Sequence, residues 1–327
     1  MERAIDGILE KSIAGGAVTR AESLALLEAP DSAIDKMIEA AFAVRKKYRG
    51  LKVAVQILSN AKSGNCSQDC SYCAQSNRSK AAIEKYPLVP YEKLSLTGKL
   101  VAERNLSRHC IGLSGIRFGD EEIDRFAGYV RQLKEQAKTS ICCSIGFLTE
   151  DQARKLKEAG VDRINHNLNT SRAFYPQICT THTFDERVAN IKMLQAIGFE
   201  ICSGGIVGLG EGKHDVADMF FELKSIAPQS VPINFLLPLE GTALEGANIS
   251  HLTAEYCLKV LCLARLMLGG VSLRCAAGRE VYFKGQEKNL FKIVDSIFAS
   301  GYLTADGQNI DDTINLVEAA GFESYIE

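Results

Sequence analysis

The chain has 327 residues, 46% of them hydrophobic, with 38 Lys and Arg against 40 Asp and Glu for a formal charge of −2. That length suits one large α/β domain, and the near-even charge gives no electrostatic footing for nucleic acid or an anionic membrane. No apolar run approaches a spanning helix, and the opening Met1-Glu2-Arg3-Ala4-Ile5-Asp6 lacks a basic-then-apolar signal, so a soluble, cytoplasmic protein is expected.

Residues 1–50 read as a helical extension. Ala21–Leu27 and Ala33–Tyr48 carry apolar residues at three-to-four spacing, and Gly50 follows as a stop. Residues 51–327 then alternate short β-type runs with amphipathic helical stretches. The expected strands are Lys52–Leu58, Cys110–Ser114, Ser140–Ile145, Asp162–Asn167, Glu200–Val207, Ser230–Leu236, Ser272–Ala276 and, more weakly, Asp295–Phe298. Such alternation implies a parallel sheet, and closing it gives an α/β fold of the (β/α)8 TIM-barrel type. No repeat, low-complexity tract or linker interrupts the pattern.

Directly after the first strand comes Asn65-Cys66-Ser67-Gln68-Asp69-Cys70-Ser71-Tyr72-Cys73-Ala74-Gln75-Ser76. Four-iron clusters usually take four cysteines, and this loop stops at Cys66, Cys70 and Cys73. The fourth iron is then free to take a chelating ligand, and Tyr72 can lie over an adenine. The Cys-x3-Cys-x2-Cys spacing, with an aromatic before its last cysteine, is the signature of radical S-adenosylmethionine enzymes.

The total of eleven cysteines is odd and high. Disulfides are not expected in a reducing compartment, where cysteine clusters more often bind metal. Cys257, Cys262 and Cys179 read as small buried hydrophobes. Cys110, Cys142 and Cys202 fall on the second, third and fifth strands, and Arg274 on the seventh. By alternation Cys142 and Ser144 share one face while Cys143 takes the other; Asn165 and Asn167 point one way and His166 the opposite way. Three cysteines and an arginine on separate strands can therefore meet in the lumen around a second metal cluster.

The chain resembles the biotin synthase family over nearly its whole length. The resemblance is carried by Asn165-His-Asn-Leu-Asn-Thr-Ser171, Thr180-Thr-His-Thr-Phe-Asp-Glu-Arg187, Cys202-Ser-Gly-Gly-Ile-Val-Gly-Leu-Gly-Glu211, Ser230-Val-Pro-Ile-Asn-Phe235, Gly241-Thr-Ala-Leu244 and Arg274-Cys-Ala-Ala-Gly-Arg-Glu280. It implies that Cys66, Cys70 and Cys73 hold a 4Fe–4S cluster that cleaves S-adenosylmethionine. It implies that Cys110, Cys142, Cys202 and Arg274 hold a sulfur-donating auxiliary cluster, typically 2Fe–2S. Asn167, Asn169 and Asn234 match cofactor and substrate pocket positions, and Gly204-Gly205-Ile206 is placed for close backbone approach to the cofactor. The implied reaction is sulfur insertion into dethiobiotin, making the chain a sulfurtransferase. A reducing donor such as flavodoxin or ferredoxin and a homodimer are implied with it.

Some positions depart from the family pattern. Asn169 stands where many members carry Asp. In Ile293-Val-Asp-Ser-Ile-Phe298, Asp295 brings a carboxylate where an amide is usual, near the expected substrate end. Segment 110–120 also differs, and Cys143 and Cys275 adjoin expected ligands. Alternation sends both outward; a bulge would turn one inward and favour a four-iron auxiliary cluster. Two other readings stand beside this one. A radical barrel enzyme that rearranges a small molecule would not need the strand cysteines, and a zinc-binding scaffold would want four closed ligands, which a three-cysteine loop does not supply.

Overall fold

The computed structural model describes residues 2–325 apart from 138, 300, 302 and 304–306. Its strands are β1 (Lys52–Lys62), β2 (Arg108–Leu113), β3 (Ile141–Ser144), β4 (Arg163–Asn165), β5 (Glu200–Cys202), β6 (Gly205–Val207), β7 (Ser230–Phe235), β8 (Ser272–Cys275), β9 (Ser296–Ala299) and β10 (Glu323–Tyr325). All pair in parallel in the order β1-β2-β3-β4-β5-β7-β8-β9, and β9 returns to β1 through Ala54↔Ser296 to Ile57↔Ala299. The ring is closed, as the alternation of strand and helix requires.

The fifth staves of the barrel are two short strands. β5 pairs with β4, and with β7 at Cys202↔Ser230, whereas β6 pairs with β7 and bridges to Asn169 at Gly205, after the chain breaks step at Ser203 and Gly204. The expected single strand Glu200–Val207 is therefore interrupted. β10 lies outside the ring and pairs with the start of β1.

Helices cover the outside. Thr149 and Thr183 open helices Glu150–Glu158 and Phe184–Ile197 with reciprocal capping boxes, which satisfy otherwise orphaned amide groups. Before the barrel come helices Glu2–Ile13, Arg20–Leu27 and Ile34–Arg49, all within the helical extension expected for residues 1–50; the first was not delimited from the sequence. Glu2–Ile13 buries Ile5, Ile8 and Leu9, at helical spacing. These segments pack on one another and on helix Ala254–Leu268, which carries the buried Cys257 and Cys262. No described helix is long and apolar enough to cross a membrane.

Strand alternation divides the buried side chains into two layers. The large core between sheet and helices contains Cys143, Cys275, Cys257 and Cys262. A separate, smaller cluster of Cys110, Cys142, Cys202, Ala276 and Phe298 fills the lumen. Burial raises the thiol pKa values of Cys143 and Cys275.

Asp295 does not lie near the substrate end. It immediately precedes β9 and so sits at the N-terminal end of the barrel, opposite the mouth. It is fully buried, accepts a hydrogen bond from the Leu273 amide at 2.9 Å, and pairs with the equally buried Arg265. Arg49 Nε is 3.5 Å from its other oxygen. The sequence pattern placed Asp295 by its neighbours in the chain; strand direction places it at the floor.

Candidate active site

The cysteine loop leaves the C-terminal end of β1 through Gly64 and Asn65, whose positive φ values of 71° and 55° turn the chain back over the barrel mouth. Backbone bonds close the loop: Cys66 N–H donates to Gln75 O at 3.1 Å, Asn77 N–H to Cys66 O at 2.7 Å, and Cys73 N–H to Cys70 O at 3.0 Å. Ser71 N–H reaches across to Ile178 O at 2.9 Å, docking the loop on the segment after β4. The three thiols are half-buried on one wall of a cavity of about 400 Å³. Tyr72 lies on the same wall.

The cavity runs from this loop down to the lumen, where Cys110, Cys142 and Arg274 line it. Cys202 is fully buried beside them. Arg274 is fixed from several sides. Its Nη2 donates to Gln56 Oε1 at 2.7 Å, its Nε donates to Ser296 Oγ at 3.1 Å, and its guanidinium carbon stands 4.6 Å from the Phe298 ring centre. Cys110 Sγ donates to the same Gln56 oxygen at 3.2 Å, and Asn165 Nδ2 donates to Cys202 Sγ at 3.4 Å. A hydrogen bond with Cys142 lowers the Cys110 thiol pKa, with help from the Arg274 charge, and raises Cys142 to about 12. A hydrogen bond with Cys142, and then burial, push the Cys202 thiol well above its ordinary value, against the pull of the Arg274 charge, so thiolate character is favoured at Cys110.

The middle of the cavity is built by the ends of β4, β6 and β7. Asn165, His166 and Asn167 all line it. His166 was expected to face away, but β4 ends at Asn165 and alternation ends with it. Asn167 Oδ1 accepts from Gly204 N–H at 3.0 Å, leaving its NH2 group for the cavity. Asn169 also lines the cavity; it holds φ 71°, which an asparagine tolerates, and bonds through its main chain to Gly204 and Ile206. Asn234 uses both ends of its amide on backbone, donating to Gly205 O and accepting from Ala277 N–H, each at 3.1 Å. It thereby ties β6 to the segment after β8.

The glycines of this region make room for protein rather than ligand. A Cβ on Gly204 would meet Pro232 O at 1.8 Å, and one on Gly205 would meet Met219 Sδ at 2.0 Å. Of the Gly204-Gly205-Ile206 segment, Ile206 lines the cavity.

The sequence reading missed two groups. Gln56, which joins Arg274 to Cys110, was readable as a polar residue inside the apolar run Lys52–Leu58. Cys179, expected to be an inert buried thiol, instead meets polar partners. Its Sγ is 3.8 Å from Cys70 Sγ, 3.3 Å from His182 Nδ1 and 3.3 Å from Asp69 Oδ1. The hydrogen bond from Cys70, followed by those from His182 and Thr181, lowers the Cys179 pKa to about 4. Its spacing, Cys179-x2-His182, was the available signal.

Residues 61–223 match the Radical SAM superfamily, and residues 232–323 match the Biotin and Thiamin Synthesis associated domain. The biotin synthase of Bacillus licheniformis is 40% identical over 316 residues, covering 97% of this chain and 94% of that protein. The biotin synthase of Bacillus subtilis is 39% identical, with the same coverage of 97% and 94%. That of Rhodopirellula baltica is 37% identical, covering 97% of this chain and 88% of its own. Among solved structures, methylornithine synthase superposes with a TM-score of 0.85 at 20% identity, covering 97% of both chains. The FeFe-hydrogenase maturase of Carboxydothermus hydrogenoformans superposes with a TM-score of 0.84 at 15% identity, covering 99% of this chain and 79% of that one. At these identities the two structures share the fold.

Proposed function

Because the chain belongs to the biotin synthase family, we propose that the two thiol sets on its cavity are the ligands of two iron–sulfur clusters used in succession. The enzyme converts dethiobiotin to biotin in a reaction dependent on S-adenosylmethionine. Cys66, Cys70 and Cys73 are the ligands of the 4Fe–4S cluster at the mouth, and Cys110, Cys142, Cys202 and Arg274 those of the auxiliary cluster in the lumen. When bound, the first cluster supplies reductive cleavage of the sulfonium cofactor and hydrogen abstraction, and the second supplies the sulfur.

The observation that carries this reading is the placement of both sets on one cavity, one at its mouth and the other at its floor. The donor chemistry fits. Three half-buried thiols on one loop leave a four-iron cluster one open position, while three buried thiols beside a guanidinium form a closed set. Cys143 and Cys275 belong to the outer core, which supports a two-iron auxiliary cluster over a four-iron form.

The residues between the two sets hold the reactants. Tyr72 offers an aromatic face to the adenine. Asn167 and Asn169 offer amide groups to the cofactor and substrate, with Ile206 packing beside them. Asn234 and the Gly204–Gly205 turn position this wall, and the enclosed lumen around Cys110, Cys142 and Cys202 keeps water from a reactive carbon centre. Residues 1–50 serve as a helical extension to the barrel of 51–327. A flavodoxin- or ferredoxin-type donor delivers the electron, and the chain acts as a homodimer.

The test separates the clusters. Cys66→Ala, Cys70→Ala and Cys73→Ala should each abolish 5′-deoxyadenosine production after anaerobic reconstitution. Cys110→Ala, Cys142→Ala and Cys202→Ala should retain some of it while losing biotin. Normal cofactor cleavage in the first group, or parental biotin formation in all of the second, contradicts the assignment.

A further inference from the structure

Cys70 has the cavity on one side and a second thiol on the other. It lines the cavity with Cys66 and Cys73. Behind it stands Cys179, 3% exposed, with its sulfur 3.8 Å from the Cys70 sulfur. Cys179 does not line the cavity. A small reagent entering the cavity therefore meets Cys70 first and finds Cys179 at its back.

The backbone sets the two residues opposite each other. Cys179 is extended, at φ −156° and ψ 131°, immediately after the short helix Tyr175–Ile178. Ser71 N–H donates to Ile178 O at 2.9 Å, and Thr180 N–H donates to the Asp69 carboxylate at 3.0 Å. The two segments thus run antiparallel, with 71 against 178, 69 against 180 and Cys70 directly against Cys179. Directly opposed residues of antiparallel segments have Cα atoms about 4.5–5.5 Å apart, inside the range of about 4.4–6.8 Å that a disulfide needs. Closing the sulfurs to about 2.05 Å then takes side-chain rotation rather than a new chain path. Asp69 Oδ1 accepts from the Cys179 S–H at 3.3 Å and from Thr181 N–H at 3.2 Å, which keeps that sulfur beside Cys70.

We propose that Cys70 and Cys179 form a reversible disulfide in the cluster-free chain, with a small-molecule disulfide as the oxidant. Cys70, reached through the cavity, attacks one sulfur of the oxidant. The oxidant's S–S bond breaks; one half leaves as a thiol and the other stays on Cys70 as a mixed disulfide. Cys179 then attacks the Cys70 sulfur and releases the second half. Two cysteine thiols are oxidised, one disulfide is reduced to two thiols, and both protons end on the released thiols. The consequence rests on the reading of Cys70 as a cluster ligand. While the bond stands, the loop offers only Cys66 and Cys73, so it must be reduced before the four-iron cluster is assembled.

The full chain, stripped of iron by chelation without oxygen, is incubated with bis(2-hydroxyethyl) disulfide, denatured in an alkylating reagent, digested and mapped by tandem mass spectrometry. A Cys70–Cys179 linkage is expected, with free Cys179 falling at least about tenfold and returning on addition of dithiothreitol. In Cys70→Ser, Cys179 should stay free; in Cys66→Ser and Cys73→Ser the linkage should remain. Linkage of Cys70 to Cys66 or Cys73 in place of Cys179, or a free Cys179 in the treated parent, overturns the proposal. Circular dichroism checks each fold, and the parent's own map decides if a variant does not fold. The chain carrying a reconstituted 4Fe–4S cluster is treated in the same way, and its Cys179 should stay free while the visible absorption persists. If the linkage forms there with the cluster absorption unchanged, the disulfide stands and the reading of Cys70 as a cluster ligand falls.

Discussion

Replacing Asp295 by asparagine removes one charge from the barrel floor and keeps the shape of the side chain. In the parent, the carboxylate compensates Arg265, itself only 1% exposed, and receives the Leu273 amide. Removing one partner of a buried ion pair typically costs about 3–5 kcal/mol, because the other charge stays buried. Arg265 retains three carbonyl acceptors, from Ile293, Gly269 and Val271 at 2.8–2.9 Å, and an amide oxygen at position 295 can still accept from Leu273. The loss is therefore expected below that range, at about 2–3 kcal/mol. With an unfolding entropy of about 2.1 cal/mol/K per residue over 327 residues, this lowers Tm by about 3–4 °C. Differential scanning calorimetry of the anaerobic protein reads the shift, and biotin formed per folded chain should equal the parent's. An unchanged Tm with a loss of turnover would place Asp295 at the substrate end and refute the floor assignment.

Two other substitutions test the layers of the barrel. Cys143→Ser and Cys275→Ser should leave iron at about six per reconstituted chain, since both thiols face the outer core; about eight in the parent, falling in either variant, would show a four-iron auxiliary cluster. Gly204→Ala should cost at least about 3 kcal/mol or prevent folding, because its methyl would meet Pro232 O at 1.8 Å; a parental denaturation midpoint would show that the β5–β6 break can relax.

The barrel was readable because each ring position carries its own signal: a short apolar run, then a helix with a recognisable start. All eight expected runs contain or overlap an observed strand. The ends were less readable. At the break between β5 and β6, Gly204 lies so close to Pro232 on another strand that a Cβ would meet its carbonyl oxygen at 1.8 Å, a contact no local pattern contains. The lumenal cysteines were found by strand alternation, which also sends Cys143 outward. The same rule failed at His166, one residue past the end of β4, where no pleat remains to govern it.

Polar partners were harder to read than positions. Gln56 serves Arg274 and Cys110 from strands far away in sequence, and Asp69 meets Thr180, Thr181 and Cys179 across more than one hundred residues. Asp295 was misplaced because family pattern alone does not say which end of a strand a residue occupies. The cysteine spacing identified the loop, while the constellation behind Cys70 required the fold.

The central claim is that sulfur held in the lumen by Cys110, Cys142, Cys202 and Arg274 ends in the product. The most direct measurement rebuilds both clusters with 34S-sulfide, removes free sulfide, and runs one turnover with dethiobiotin, S-adenosylmethionine and a reductant without oxygen. Mass spectrometry of the biotin should show it two mass units heavier in the parent, with no biotin from Cys142→Ala. Unlabelled biotin from the labelled parent, or labelled biotin from Cys142→Ala at the parental level, would contradict the account.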